Sequence, residues 1–356
     1  MVSLSFVADF NVEQGSRESD VADERFGGIS AVAYDAVADR WLALSDARTS
    51  PRFYELALDY DGVSLHVHVG EATGLRERDG VGFGENELDP EGLVETTWGT
   101  LLISTEPDSR YEPIVQAKLL EFEQSGELVR SVPLPAKFLV EGWPPRSGPR
   151  NNRGFESLTL APSGARLFVG AEGALLQDGE VASFDAAAFC RIVEYRVQAG
   201  ALQPSAEYVY PLGPVARPDT FSDPVLSSGL VELVALSDTR LLALERDFIG
   251  ERGESGGVNR ARIFLVDVAG ATDVSRVSSL AASPGFRPVR KQKLLDFDDI
   301  VAKLSPGFRS LDNFEGMGLG PTLPDGGRSL LVVSDDNFSD TQRSAFLLFS
   351  LKVVNE

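Results

Sequence analysis

Acidic residues recur at matching places along the chain, and their spacing is the feature of the sequence most able to do chemistry. A glutamate begins a short apolar run in four segments, which are Pro90-Glu91-Gly92-Leu93, Phe155-Glu156-Ser157-Leu158, Val231-Glu232-Leu233-Val234 and Phe314-Glu315-Gly316-Met317. A further unit starts with Phe26-Gly27-Gly28-Ile29-Ser30, so Gly27 stands where the others have glutamate. In all five units the next apolar run ends in a second acid, which gives Asp46, Glu106, Glu172, Glu245 and Asp335.

Carboxylates gathered at one place would repel each other, so they would need a cation, arginine partners or bound protons. Oxygen ligands favour Ca²⁺, which takes about six to eight oxygens in a flexible geometry. The chain has two histidines, His66 and His68, so a histidine-rich zinc or iron site is disfavoured. The alternative is that the acids accept hydrogen bonds from backbone N–H groups and cap neighbouring strands. The predicted calcium ligands are Glu91, Glu156, Glu232, Glu315 and Asp46.

Arginine residues lie in the same segments as the acids, and the guanidinium fork suits phosphate oxygens. The predicted phosphate-binding residues are Arg48, Arg150, Asn152, Arg153 and Arg246. An acid that ends a second run could activate water as a general base. The candidates for this catalytic role are Glu106, Glu172 and Asp335. The alternative is that the arginines pair with the acids and have no role in binding a substrate.

Each unit is consistent with four short strands, and repeats of this size are typical of propellers and solenoids. In the first unit these strands cover residues 28–34, 41–45, 53–58 and 65–69. The fifth unit lacks an evident fourth strand, so residues 3–10 are expected to supply it and to close the ring. The sequence therefore predicts an all-β fold, with one β-propeller domain over residues 1–356 and five four-stranded blades. Six blades, with one hidden in the longer connections, is the alternative.

The connections between strands differ in length, and the difference places the acids. Turns from the first to the second strand and from the third to the fourth are short, whereas the others are long, as in residues 134–155 and 172–190. Because antiparallel strands alternate in direction, the long connections all emerge on one face, where function is expected. Both sets of acids lie at this face. We therefore expect two acidic rings at one mouth of the central channel, with a gap at Gly27.

Composition narrows the classes of partner. The chain of 356 residues carries 33 Lys and Arg against 54 Asp and Glu, a net charge of −21. Nucleic acids and anionic membranes bind basic surfaces, so neither is expected as a partner. A membrane-spanning apolar run of about 18 residues is absent, and residues 1–6 do not resemble the start of a signal peptide. Cys190 is the single cysteine, so no internal disulfide is expected, and the oligomeric state stays open.

Nearly the whole chain resembles the phytase-like propeller family, which is described as "esterase-like activity of phytase". The most distinctive match is Arg150-Asn151-Asn152-Arg153. The matching segments cover residues 27–30, 43–46, 89–92, 150–158, 175–179, 242–246, 264–267, 313–317 and 333–338. The resemblance implies a β-propeller with calcium-dependent phosphoester hydrolysis, exported to the periplasm or the cell exterior in most members.

The sequence therefore predicts a calcium-dependent hydrolase that acts on a small-molecule phosphoester at the loop-rich mouth of the channel. Two alternatives remain open. In the first, the propeller is not catalytic, its channel cation is structural, and its loops bind a ligand or a protein. In the second, the mouth hydrolyses lactones or carboxylic esters, chemistry that also occurs on calcium-centred propellers.

Overall fold

A computed structural model describes residues 2–12, 20–21, 24–253, 256–306, 308 and 310–353. The chain forms five four-stranded antiparallel sheets that stand as blades in a ring, which confirms the predicted five-bladed β-propeller and rules out a sixth blade. Helical structure in the described part is limited to 3₁₀ turns at Ala136–Phe138, Leu176–Asp178, Phe297–Asp299 and Val301–Lys303. None of these described segments is long and apolar enough to cross a membrane.

The strands follow one another in the order expected for a propeller, from the channel outward in each blade. A short ribbon, β2 (Asp20–Val21) and β3 (Glu24–Arg25), precedes blade 1. Blade 1 contains β4 (Ile29–Asp35), β5 (Arg40–Ser45), β6 (Arg52–Tyr60) and β7 (Leu65–Gly74). Blade 2 contains β8 (Pro90–Glu95), β9 (Leu101–Thr105), β10 (Leu119–Phe122) and β11 (Leu128–Ser131). Blade 3 contains β12 (Phe155–Leu160), β13 (Arg166–Ala171), β14 (Ala188–Gln198) and β15 (Ala201–Leu212).

The last two blades complete the ring. Blade 4 contains β16 (Pro224–Ala235), β17 (Arg240–Glu251), β18 (Gly257–Asp267) and β19 (Arg290–Asp296). Blade 5 contains β20 (Asn313–Thr322), β21 (Arg328–Asp335), β22 (Ser344–Val353) and, as its outer strand, β1 (Val2–Val12). The pairing of β1 with β22 confirms that the N-terminal strand closes the ring, and it covers an edge that would otherwise be open to other chains.

Apolar side chains fill the spaces between blades, and small residues in the inner strands let the blades approach. Trp41 of β5 is buried against Gly318 and Gly320 of β20. A Cβ atom at Gly320 would lie 2.3 Å from Cζ2 of Trp41, so a larger residue there would push the blades apart. This tight packing keeps the inner strands at fixed positions around the channel.

Blade 4 departs from the predicted boundaries, because its first two strands continue well past the others. The pairing of β16 with β17 runs from Pro224, opposite Glu251, to Ala235, whereas the sequence predicted loops over residues 212–229 and 246–261. Buried apolar residues such as Ile249 occupy the added length, which explains why it pairs as a sheet. We call residues 224–229 and 246–261 the blade 4 extension, of which residues 254–255 lie outside the described part. It forms one wall of the channel mouth.

Candidate metal centre at the channel mouth

Three inner strands begin with a break in register that displaces one glutamate from the sheet. In β12 the pairing with β13 shifts between Phe155 and Ser157, which leaves Glu156 without an opposite residue. The pairing of β8 and of β20 shifts in the same way at their first residues. A bulge of this kind redirects a side chain, and the displaced residues that line the mouth are Glu91, Glu156 and Glu315.

The second acids sit beside these glutamates because the backbone after each second strand stays tied to the residues before the inner strand. The amide of Asp46 donates to the carbonyl of Gly28 at 2.8 Å, and that of Glu172 donates to Gly154 at 2.9 Å. The amide of Glu106 makes the equivalent bond in blade 2. The strands thus hold two carboxylates side by side in each of blades 2, 3 and 5, as the sequence predicted.

Blade 4 does not follow this arrangement. Its register shifts between Leu230 and Glu232, so Val231 takes the position that glutamate has in blades 2, 3 and 5. Leu230 pairs with Glu245, so Arg246, which pairs with Gly229, holds the position that the second acid has in the other blades. The prediction that Glu232 and Glu245 complete the two rings is therefore wrong by one residue. A comparison of motifs alone does not reveal on which residue a bulge falls.

Both misplaced acids have partners away from the mouth. The carboxylate of Glu232 accepts hydrogen bonds from the amides of Leu233 at 2.9 Å and Leu158 at 3.3 Å, and burial raises its pKa well above the usual value. It joins the inner strands of blades 3 and 4 inside the channel, as the capping alternative predicted. Glu245 accepts a hydrogen bond from the hydroxyl of Tyr210 at 2.8 Å. Neither acid lines the mouth.

The prediction that Gly27 stands at the glutamate position is wrong, because the register of blade 1 shifts between Ile29 and Ala31 and places Ser30 there. The space at Gly27 is filled by an acid from the other end of the chain. The carboxylate of Asp336 accepts a hydrogen bond from the amide of Gly28 at 2.9 Å. A Cβ atom on Gly27 would lie 2.5 Å from Asp336 Oδ1, and one on Gly28 would lie 2.2 Å from Asp46 Oδ1. The glycines therefore make room for two carboxylates, and the ring has no open side at this point.

A cavity of about 520 Å³ occupies the mouth. Its lining residues are Asp46, Arg48, Glu91, Asn152, Glu156, Glu172, Ser227, Arg246, Phe248, Asn259, Asn313, Glu315, Asp335, Asn337 and Gln342. Most of the residues predicted from sequence are therefore brought together. Four of them, Glu106, Glu232, Arg150 and Arg153, lie behind or below the lining.

Glu106 lies at the centre of the buried carboxylates. It belongs to two clusters, in each of which one carboxylate oxygen from every member lies within 4.8 Å of the others: Asp89, Glu91 and Glu106, and Glu106, Glu156 and Glu172. One of its oxygens accepts a hydrogen bond from the amide of Gly154, and the other, Oε2, is buried without a partner among the described residues. Asp46 Oδ1 is also buried without a partner among the described residues. Unpartnered buried carboxylate oxygens are costly, and a cation would satisfy them.

Burial and mutual repulsion raise the pKa values of these acids. Burial raises the pKa of Asp46 to about 8, and the nearby charges of Asp89 and Glu315 add to it. Burial is also the main cause, with neighbouring carboxylates second, of pKa values well above the usual range at Glu91, Glu106, Glu156 and Asp335. Without a cation, the mouth would therefore retain protons at neutral pH.

Two arginines of the mouth are paired with its acids. Arg246 donates from Nη2 to Glu315 Oε1 at 2.7 Å and lies 3.9 Å from Glu172. Arg153 lies 3.7 Å from the other oxygen of Glu172 and also donates to the carbonyl of Ser228 at 3.0 Å. The Nε of Arg246 is buried without a partner in the described part of the chain. Arg246 thus retains one donor, whereas Arg153 braces Glu172 from behind.

The other predicted phosphate-binding residues divide into two groups. Arg48 donates to Asp89 at 2.8 Å and to the side chain of Asn152, and both Arg48 and Asn152 line the cavity. Arg150 instead donates to the carbonyl of Gly179 at 2.6 Å and joins two loops behind the mouth. Arg150 does not line the cavity, whereas Asn152, two residues later and with left-handed backbone, does.

Sequence reasoning does not single out several lining residues. The sequence predicted a loop over Phe248 and Asn259, and the blade 4 extension brings both to the wall of the cavity. Asn313 donates to Glu315 at 2.9 Å, and its place directly before the Phe314-Glu315 motif was the available signal. Asp89 has the same kind of place before Pro90-Glu91.

Comparisons with solved structures return matches at low similarity. The Dos1 propeller has 10% identity and a TM-score of 0.36, with 90% of this chain and 68% of that chain covered. A Pseudomonas aeruginosa periplasmic gluconolactonase, PpgL, has 14% identity and a TM-score of 0.34 over 93% of this chain and 89% of that chain. BT0996 in an RGII complex has 10% identity and a TM-score of 0.37, with coverage of 91% and 86%. These values support no argument about function.

Family membership rests on sequence instead. A search of curated proteins gives no match. The sequence model of the Phytase-like family, described as "Esterase-like activity of phytase", matches residues 24–338, which include all five inner strands and the cavity-lining residues other than Gln342. The chain belongs to the Phytase-like family.

Proposed function

We propose that the mouth binds Ca²⁺ and hydrolyses a small-molecule phosphoester. The observation that carries the proposal is the position of Glu106, which is shared by two buried carboxylate clusters and keeps one oxygen without a partner among the described residues. Carboxylates that are buried together without enough positive charge destabilise a fold unless a ligand balances them. The donor atoms are oxygens alone, and a hard cation with flexible coordination fits such a set.

Asp46, Glu91, Glu106 and Glu156 are the residues that would hold the cation. A bound Ca²⁺ would supply a positive charge that polarises a phosphoryl oxygen. The sequence predicted Glu106 as a catalytic base, but its place in both clusters favours a ligand role. Glu172, Glu315 and Asp335 are the acids of the cavity that remain for proton transfer.

Arg246 is the residue best placed to orient a phosphoryl group. It lines the cavity, its charge is held by Glu315, and its Nε retains a hydrogen for a substrate oxygen. Glu172 and Asp335 line the same cavity and are the candidates to accept a proton from the attacking water. Arg153 would favour the ionised form of Glu172, which that role requires.

The proposal is tested by calcium titration calorimetry and by assays of chelator-treated protein before and after Ca²⁺ is restored. Substrates would include an aryl phosphate, an aryl phosphodiester, nucleotides, inositol hexakisphosphate and a panel of lactones. We expect Ca²⁺-dependent phosphate release, which Glu106→Gln abolishes together with Ca²⁺ binding. Glu180→Gln is the matched control, because Glu180 lies in an exposed loop near the mouth and should change neither measurement.

Three outcomes would contradict the proposal. Calcium binding without turnover of any ester would indicate a non-catalytic propeller with a structural cation. Turnover of lactones alone would replace the phosphoester with a carboxylic ester. Absence of calcium binding would show that the mouth is not a calcium site.

A further inference from the structure

The cavity has one wall whose composition differs from its acidic floor. We propose that this wall binds a neutral polyhydroxylated ring, such as a sugar, that the substrate carries next to its phosphoryl group. The wall is formed by Phe248 and Asn259 of the blade 4 extension, with Asn152, Asn337 and Gln342 around the rim. The inference rests on the proposed function only in that the phosphoryl group would occupy the mouth.

Phe248 is the sole aromatic residue among the described lining residues. Its ring lies across two glycines of the neighbouring backbone. A Cβ atom on Gly257 would lie 2.6 Å from the ring, and one on Gly250 would lie 3.2 Å from it. The extension therefore holds the ring in place beside the cavity. A flat aromatic face in an otherwise polar site offers contact to the C–H face of a ring-shaped ligand.

The remaining polar groups of the wall suit hydroxyl groups. A carboxamide both donates and accepts hydrogen bonds, and a hydroxyl does the same, so the two classes complement each other. Asn259 Oδ1 is buried beside Phe248 and has no partner among the described residues. An unpaired buried acceptor is costly, and a ligand hydroxyl would satisfy it.

The charges of the cavity argue against a substrate with many phosphates. The basic residues of the described lining are Arg48 and Arg246, and each is already paired with an acid. Carboxylates outnumber them on the floor. A single phosphoryl group could be neutralised by a cation and Arg246, whereas further phosphates would face unpaired acids. The wall therefore fits a sugar monophosphate better than a polyphosphorylated ring.

The test uses the full chain loaded with Ca²⁺ and two phosphonates that are not hydrolysed, a hexose methylphosphonate and butylphosphonate. Calorimetry should show that the hexose compound binds at least about tenfold more tightly, because the site loses paired hydroxyls with the alkyl compound. Asn259→Ala and Phe248→Leu should each lower only the hexose affinity, by roughly tenfold. Val258→Ala is the control, since Val258 lies next to Asn259 but is 46% exposed.

Equal binding of the two phosphonates, or no effect of either variant, would overturn the sugar subsite whatever the catalytic result. Tighter binding of inositol hexakisphosphate than of the hexose compound would overturn it as well. Selective hexose binding without hydrolysis of any phosphoester, hexose phosphates included, would support the subsite and contradict the proposed function. The binding and turnover measurements therefore separate the two proposals.

Discussion

This propeller contains two groups of buried charged residues, one with balanced charges and one with an excess of acids. The first surrounds Arg191 between blades 3 and 4. Arg191 donates to Asp178 at 2.6 and 2.9 Å and to Glu207 at 2.8 Å, and Lys137 adds a bond to Glu207 at 3.2 Å. The second group is the mouth, where Glu106 and its neighbours share too few cations.

Burial is similar in the two groups, so the difference lies in the balance of charge. Asp178 and Glu207 are matched by two basic side chains and by backbone groups such as the amide of Leu280. Such a closed network anchors the loops that it joins. The mouth retains buried oxygens without partners, for example on Glu106 and Asp46. Surplus charge of one sign indicates a site that awaits a ligand rather than one that stabilises the fold.

The largest loss of stability should come from replacing Arg191, which holds the balanced group together. Arg191→Met would leave Asp178 and Glu207 buried with insufficient positive charge, and we expect the free energy of unfolding to fall by about 3–5 kcal/mol. Urea denaturation followed by circular dichroism would measure it. The loss should be the same with Ca²⁺ and with chelator. A loss that Ca²⁺ restores would show that the two groups are not independent.

The mouth should respond to Ca²⁺ instead. Wild-type protein is expected to gain about 2.7 kcal/mol when free Ca²⁺ is about 100 times its dissociation constant, because the ligand binds the folded state alone. Glu106→Gln should lose most of this gain and, in chelator, should be no less stable than wild type. Thermal unfolding with Ca²⁺ and with chelator measures both. An equal calcium shift in the variant would contradict the assignment of Glu106.

The contribution of the mouth to stability should also depend on pH. The pKa of Asp46 is raised from 3.8 in the unfolded chain to about 8 in the folded protein. Its protonated form therefore stabilises the fold fully below pH 3.8, and this contribution is lost as pH rises toward 8. In chelator, the stability of wild type relative to Asp46→Asn should decline across this range. Thermal unfolding at several pH values measures it, and parallel curves for the two proteins would contradict the burial of Asp46.

The smallest change in stability is expected at an exposed ion pair. Arg290 pairs with Asp267, but its side chain is 73% exposed. Exposed pairs contribute roughly 0–1 kcal/mol, so Arg290→Met should change the free energy of unfolding by less than about 1 kcal/mol. Urea denaturation under the conditions used for Arg191→Met provides the measurement. A loss comparable with that of Arg191→Met would show that pairing, rather than burial, decides these energies.

The fold was predictable because the sequence signals that mark a blade occur five times. Five acid-marked units, short and long connections in fixed order and a missing outer strand in the last unit were enough to predict the blades and the closing strand β1. Strand direction then placed the acids at one mouth. Each of these inferences depends on period and direction, which a sequence displays directly.

The details of the site depended on information that the sequence does not display. Whether Val231 or Glu232 occupies the bulge is decided by packing inside blade 4, and one residue of shift exchanges the side of the sheet that a residue faces. Asp336 fills the space at Gly27 from more than 300 positions away, and no local motif predicts that contact. Phe248 reaches the cavity because β17 continues beyond Glu245, the acid at which the sequence predicted that the strand ends.

The bond from Gly28 to Asp336 has a consequence for how the protein is made. The ribosome releases blades 1 to 4 long before the strand that precedes Asp336, and contacts so distant along the chain form late because closing a long loop opposes them. The part of the mouth that Asp336 completes therefore takes shape only when β1 pairs with β22 and the ring closes.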